Sequence, residues 1–175
     1  IESIKEFSDR ELYPVFKEMD ENPAYYKDGK IYVHEKVKTL MYQGGEMGII
    51  SASFDYKDGG MQMPLLAHTA AMFILESANN HLPGYAGLTQ GAAELIIHFA
   101  NEDLNKEYVP NMLSGKWGGT MCLTEPQAGS SLSDITTKAT RTENGYFNIS
   151  GQKIFISAGD NHFTENVIHL LLARI

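Results

Sequence analysis

Residues that could bind a polar ligand are concentrated in a first segment, residues 121–131. It reads Met-Cys-Leu-Thr-Glu-Pro-Gln-Ala-Gly-Ser-Ser and follows an apolar stretch that predicts a short strand. Backbone amides and hydroxyls around Gly129 and Ser130 can hold an anionic or polar cofactor edge without a lysine, and glycine permits close approach. A plain connecting loop with a serine or threonine turn is the alternative interpretation.

A second segment, residues 153–159, reads Lys-Ile-Phe-Ile-Ser-Ala-Gly. Its aromatic and β-branched residues predict a strand that ends in small and polar residues. The ring of Phe155 and the hydroxyl of Ser157 could then face a planar ring system. The alternative is that Phe155 belongs to the core and Ser157 only to a turn.

The titratable groups near these segments are Glu125, His162 and His169. Glu125 could act as a general base, but no His or Lys stands at a diagnostic spacing, so a solvent-facing or capping role is predicted. The six histidines form no H-x-H or H-x-x-x-H pair, which disfavours a metal site. Cys122 lies between two apolar residues and is predicted to be a small core residue rather than a nucleophile.

Composition narrows the class of protein. The chain has 175 residues, 43% hydrophobic and 21% charged, with a formal net charge of −8. Such a surface disfavours binding to nucleic acid or to anionic lipid. A single cysteine excludes an internal disulfide and suits a reducing cytoplasm. Because no apolar run approaches the roughly 20 residues of a membrane helix, a cytoplasmic globular protein is expected.

Helices are predicted in residues 1–117 and strands in residues 118–175. One helix spans about 35–46, and a second runs from Pro64 to about Asn80 and should be the central buried one. A third has an apolar face, and Asn101 caps a fourth that ends near residue 115. The expected apolar face of the third comprises Leu88, Ala92, Leu95, Ile96 and Phe99.

Beyond Trp117, strands are predicted over 118–123, 135–142, 146–149, 153–157 and 167–173. Asn144-Gly145 is a strong signature of a two-residue hairpin turn, whereas residues 20–30 are predicted to be a loop. The last strand is apolar and lies almost at the end of the chain, so we expect a truncated fragment of a longer protein. The fold class is α+β, with a helical domain (1–117) and the start of a β-domain (118–175).

The two segments together resemble the signatures of the acyl-CoA dehydrogenase family. Residues 123–130, Leu-Thr-Glu-Pro-Gln-Ala-Gly-Ser, are similar to T-E-P-x-A-G-S, and residues 151–157 are similar to G-x-K-x-[WF]-I-[ST]. Residues 155–160 and Thr164-Glu165-Asn166 look most like the long bacterial branch with an extra C-terminal region. The resemblance implies an all-α N-terminal bundle followed by the opening strands of a middle β-domain.

The resemblance also implies a function for the parent protein, which is FAD-dependent oxidation of an acyl-CoA to the trans-2-enoyl-CoA. A carboxylate removes the α-proton while hydride leaves the β-carbon for flavin N5. That base belongs to a C-terminal domain, so no catalytic residue is assigned here. The implied partners are the acyl-CoA substrate and electron-transfer flavoprotein, and the full-length protein would be a homo-oligomer. The fragment itself is expected to be inactive and to bind FAD weakly or not at all.

Transferred position by position, the resemblance implies a set of FAD-binding residues, of which Ser130 would also contact the acyl-CoA. Four positions depart from the commonest family pattern, which are Met121, Ser131, Phe155 and Ala158. Two alternatives stay open, an acyl-CoA oxidase and a non-catalytic flavoprotein that binds DNA or a partner protein. The implied FAD-binding residues are Met121, Leu123, Thr124, Gly129, Ser130, Phe155, Ile156 and Ser157.

Overall fold

A computed structural model describes residues 1–175 except for the side chain of Leu82. Helices come first and strands follow, as the α+β prediction requires. The helices are α1 Glu2–Phe7, α2 Phe16–Glu21, α3 Lys36–Glu46, α4 Leu65–Ala78, α5 His81–Phe99 and α6 Glu102–Leu113. The strands are β1 Tyr25–Lys27, β2 Lys30–Tyr32, β3 Trp117–Cys122, β4 Lys138–Arg141, β5 Phe147–Ser150 and β6 Asn166–Leu171.

The region predicted to be a loop contains a small hairpin, β1–β2. Asp28 and Gly29 form its two-residue turn with φ values of 51° and 81°, the left-handed pair that a type I′ turn requires. Across the hairpin the rings of Tyr25 and Tyr32 stack at 5.3 Å. The Asp-Gly pair was a usable hairpin signature in a polar stretch.

Two of the helix predictions are confirmed. Helix α3 buries Val37, Leu40, Met41 and Gly44 along one face. The side chain of Asn101 accepts a hydrogen bond from the N–H of Leu104 at 3.0 Å, as an N-cap should.

The prediction that α4 is the central buried helix is wrong. Only Ala71 and Leu75 of α4 are buried, and Leu65, Leu66 and Phe73 are exposed. An apolar composition all round a helix predicts burial only if other elements cover every face, and among the described residues they cover one.

The predicted face of α5 is also partly wrong, because Leu95 and Phe99 are exposed while Ala92, Ala93 and Ile96 are buried. The helix turns its small residues toward β3. A Cβ on Gly119 of β3 would lie 2.7 Å from the Cβ of Ala92, so the two backbones approach closely. Close approach requires small side chains, and large ones are therefore displaced from this face.

Strand β3 pairs in parallel with β6, from Trp117 opposite Asn166 to Cys122 opposite Leu171. Strands β4 and β5 form the predicted hairpin, although only Gly145 of its loop has a positive φ. The pairing ends at Arg141 opposite Phe147, so the loop is longer than the two-residue turn that Asn144-Gly145 suggested. Strand β3 pairs with β6 and packs against α5, and these two contacts fix the position at which the first segment begins.

The strand predicted over residues 153–157 is wrong. These residues form no strand, and Phe155 has a φ of 57°, which is incompatible with an extended chain. No helix of the described residues is both long enough and apolar enough to cross a bilayer.

Candidate functional site

The two segments singled out in the sequence lie side by side. The N–H of Ile154 donates to the carbonyl oxygen of Thr124 at 2.9 Å. The Nζ of Lys153 donates to the carbonyl oxygen of Leu123, also at 2.9 Å. The residues that directly follow β3 are therefore held against the start of the second segment.

Glu125 lies at the centre of this contact, and its side chain is only 1% exposed. Oε1 accepts hydrogen bonds from the Nζ of Lys153 at 2.9 Å and the N–H of Thr137 at 3.0 Å. Oε2 accepts from the N–H of Thr136 at 2.6 Å, its hydroxyl at 2.9 Å and the Nε2 of Gln127 at 2.7 Å. The predicted solvent-facing role is wrong, because the side chain is buried. The sequence did not reveal this, since the ammonium partner is 28 residues away and no local spacing connects the two.

These contacts determine the protonation state of Glu125. Burial disfavours the charged form, but hydrogen bonds from Thr137, Lys153 and Thr136 outweigh it and hold the pKa of the carboxyl well below its usual range. The group is a carboxylate at neutral pH, and both of its oxygens already accept two or more hydrogen bonds. Such a carboxylate is unsuited to act as a general base.

After Pro126 the chain makes a tight turn. The N–H of Glu125 donates to the carbonyl of Ala128 at 2.8 Å, and the N–H of Ala128 donates back at 3.1 Å. Ala128 is buried, whereas Gly129 and Ser130 are exposed. A Cβ placed on Gly129 would meet nothing within 4 Å, so there is room for a ligand against this backbone.

The implied FAD-binding residues divide into two groups by exposure. Leu123, Thr124 and Ile156 are half-buried. The exposed members include Phe155, which is 87% exposed. Thr124 is joined to the second segment by the hydrogen bond from Ile154. Among the described residues no hydrogen bond joins the remaining exposed members to one another. Those exposed members are Met121, Gly129, Ser130 and Ser157.

The other groups noted in the sequence have structural partners. His169 shares a hydrogen bond of 2.7 Å with the buried hydroxyl of Thr120 across β3 and β6. His162 stacks on Tyr32 of the β1–β2 hairpin at 5.1 Å. Cys122 is buried, as predicted. Among the described residues, no group of three or more His, Cys, Asp or Glu side chains is placed to hold a metal ion.

Glycine is also required at position 151, just before the second segment. A Cβ on Gly151 would lie 2.3 Å from Oγ1 of Thr137, the residue whose N–H binds Glu125. The start of the second segment, the buried carboxylate and residues 136–137 therefore pack without space for another methyl group.

Comparison with known proteins gives a consistent set of relatives. The sequence model described as "Acyl-CoA dehydrogenase, N-terminal domain" matches residues 1–116. The chain is 34% identical over 174 residues to 3-methylmercaptopropionyl-CoA dehydrogenase of Ruegeria pomeroyi, covering 99% of this chain and 30% of that protein. It is 35% identical over 167 residues to a butyryl-CoA dehydrogenase of Syntrophomonas wolfei, covering 93% of this chain and 27% of that protein.

Solved structures give the same result. Butyryl-CoA dehydrogenase from Megasphaera elsdenii superposes with a TM-score of 0.74 at 27% identity, over 89% of this chain and 39% of that one. An acyl-CoA dehydrogenase from Bacillus anthracis complexed with FAD gives a TM-score of 0.76 at 21% identity, over 98% and 27%, and supports the fold alone. The chain spans less than a third of the length of the curated relatives from Ruegeria pomeroyi and Syntrophomonas wolfei.

Proposed function

Because the chain belongs to the acyl-CoA dehydrogenase family, we propose that the protein containing it oxidises an acyl-CoA to the trans-2-enoyl-CoA with FAD as cofactor. The observation that carries this proposal is the junction of the two segments. Lys153 and Ile154 bind the backbone at Leu123 and Thr124, and a largely exposed ring, Phe155, follows directly. The activity is proposed for the whole protein, of which this chain supplies one part.

The residues at the junction fit a flavin cofactor. Met121 and Phe155 present exposed apolar side chains suited to a ring system, and Thr124 offers a hydroxyl to its polar edge. The open space at Gly129, beside the hydroxyl of Ser130, suits a phosphate group. Bound FAD would supply the two-electron oxidation by taking up hydride from the β-carbon of the substrate.

The chain's own contribution is to bind and orient. Ser130 is proposed to contact the acyl-CoA as well as the cofactor, and Leu123, Ile156 and Ser157 complete the cofactor surface. Correct placement of two reactants can by itself supply a large part of a rate enhancement. Glu125 is not the base, since its oxygens already accept five hydrogen bonds. As the family resemblance implies, we assign proton abstraction to a carboxylate outside residues 1–175.

Two partners complete the proposal. Electron-transfer flavoprotein is the proposed electron acceptor, and the whole protein is proposed to be a homo-oligomer. Residues 1–175 alone are expected to show no turnover and weak FAD binding or none, because the proposed base and part of the proposed cofactor surface belong to the rest of the whole protein.

An absorbance spectrum of the purified whole protein tests the proposal. Oxidised flavin bands should be present and should bleach when a saturated acyl-CoA of suitable chain length is added without oxygen. Reoxidation by electron-transfer flavoprotein, and not by oxygen alone, distinguishes a dehydrogenase from an oxidase. Flavin bands that no acyl-CoA in a short- to long-chain panel bleaches would contradict the proposed reaction.

A further inference from the structure

The ion pair between Lys153 and Glu125 differs from the others among the described residues. Its two side chains are 8% and 1% exposed, whereas each of the other pairs has a partner that is at least 40% exposed. Four of the others join residues that are only four apart in the sequence. The Lys153–Glu125 pair joins two segments that are distant in the sequence.

A buried pair of this kind has a weak justification in stability alone. Removing two charges from water is costly, and apolar replacements of similar volume are often neutral or stabilising. A better-supported use of buried polar groups is to select one arrangement of the elements they join. The pair therefore calls for an explanation in terms of position.

The contacts of the pair show which arrangement is selected. The ammonium of Lys153 binds both the carbonyl oxygen of Leu123 and Oε1 of Glu125, at 2.9 Å each. Thr124, between those two residues, is held at the same time by the N–H of Ile154. Through its carboxylate, Glu125 also fixes the backbone of Thr136 and Thr137.

Each side of the pair adjoins residues proposed to face the flavin. Thr124 immediately precedes Glu125, and Phe155 lies two residues after Lys153. A shift of the ammonium would move the two segments relative to each other, because among the described residues the bond from Ile154 to Thr124 is their one backbone hydrogen bond. Phe155 has a positive φ and is 87% exposed, so packing against the described residues contributes little to its placement.

We infer that Glu125 and Lys153 are positioning residues, whose buried ion pair sets the placement of the first segment relative to the second for flavin binding and hydride transfer. This inference rests on the proposed function. Neither residue needs to touch the substrate or the cofactor. Their effect is transmitted through Thr124 and Phe155.

The test uses the whole protein with Lys153→Met, Glu125→Gln and the double variant. The control is Lys36→Met, which breaks another ion pair between distant residues, Lys36 with Glu11 at 3.2 Å in the helical part. The measurements are the FAD dissociation constant, the visible circular dichroism of bound flavin, and kcat and KM for an acyl-CoA at saturating FAD. Thermal unfolding of the apo form reports stability separately.

We expect each single variant to bind FAD about tenfold more weakly, with altered flavin dichroism and a kcat lowered on the order of tenfold at saturating FAD. KM should change less than kcat. The control should keep the dissociation constant, dichroism and kcat of the wild type. The double variant should regain thermal stability, since no unpaired charge is left buried, but should not regain FAD affinity or kcat.

Single variants with wild-type flavin dichroism and kcat would overturn the inference, as would a double variant that recovers stability, FAD affinity and kcat together. If Lys153→Met does not fold, Lys153→Arg keeps the charge with a different reach and should retain folding while shifting the dichroism. Unchanged dichroism and kcat in Lys153→Arg would also count against positioning. If the wild-type protein binds FAD but acyl-CoA does not reduce the bound flavin, the proposed reaction is contradicted. The FAD affinity and flavin dichroism of the variants then still decide the inference by themselves.

Discussion

The hydroxyl of Thr89 on α5 accepts a hydrogen bond from the N–H of Gly119 on β3, at 3.1 Å in a buried position. The same hydroxyl donates to the carbonyl of Tyr85 one turn earlier, at 2.8 Å. This contact joins the helical part to the first strand that leads into the candidate site. The position of the first segment therefore depends on how closely β3 can approach α5.

Gly119→Ala should destabilise the whole protein by about 1–3 kcal/mol, because the added methyl group overpacks a filled space. The Cβ would lie 2.7 Å from Ala92 Cβ and 2.9 Å from Met112 Cε. The urea midpoint of the variant measures the effect. Gly118→Ala is the matched control, since its Cβ would meet Val167 Cγ2 at an ordinary 3.7 Å. Equal midpoints for the two variants would show that β3 and α5 are not so closely packed.

Glu125 should make stability depend on pH. Its pKa is held well below the ordinary value of 4.5 in the folded protein, so the unfolded chain binds the proton first as pH falls. The stabilisation is complete well above pH 4.5 and is lost as pH falls below that value toward the folded pKa. The free energy of unfolding should therefore fall more steeply in the wild type than in Glu125→Gln.

Denaturation midpoints between about pH 6 and pH 3 check this expectation. Glu102→Gln removes a carboxylate from an exposed ion pair with Lys106 and should keep the wild-type slope. Identical slopes for the wild type and Glu125→Gln would mean that the carboxylate is not held by the contacts described.

Gly129→Ala should separate cofactor binding from folding. The added methyl group meets nothing within 4 Å in the chain, so stability should change by less than about 0.5 kcal/mol. If a cofactor approaches this backbone closely, FAD affinity should fall about tenfold, equivalent to about 1.4 kcal/mol. Gly91→Ala on α5 is the control, because its Cβ is equally unobstructed and lies outside the candidate site. Unchanged FAD affinity in Gly129→Ala would remove Gly129 from the site.

Phe155→Ala should likewise leave folding intact, since the residue is 87% exposed and contributes little to the core. Loss of aromatic packing against a flavin should weaken FAD binding by about 1 kcal/mol. Titration of the apo-protein with FAD, followed by flavin fluorescence, measures the change. Tyr146→Ala removes another exposed ring, at the β4–β5 turn, and should bind FAD like the wild type. A wild-type titration curve for Phe155→Ala would show that the ring does not face the cofactor.

Features governed by neighbouring residues could be predicted from the sequence. The buried face of α3 follows from helical spacing, the cap at Asn101 from its side chain, and the β4–β5 hairpin from Asn144-Gly145. Both segments of the candidate site were recognisable from their residue types and their resemblance to family signatures.

Features governed by distant contacts could not. The apolar pattern of α4 does not show which faces other elements will cover, and that helix leaves Leu65 and Phe73 exposed. The burial of Glu125 depends on Lys153, and no local pattern connects the two. The β propensity of residues 153–157 is overridden at Phe155, where a positive φ ends any extended chain.

The central claim is that residues 121–131 and 153–159 together form one face for FAD. Hydrogen–deuterium exchange of the whole protein, with and without FAD, tests it most directly. The account predicts slower amide exchange in peptides from both segments when FAD binds, with little change across α4. Protection confined to one segment, or absent from both while FAD is bound, would contradict it.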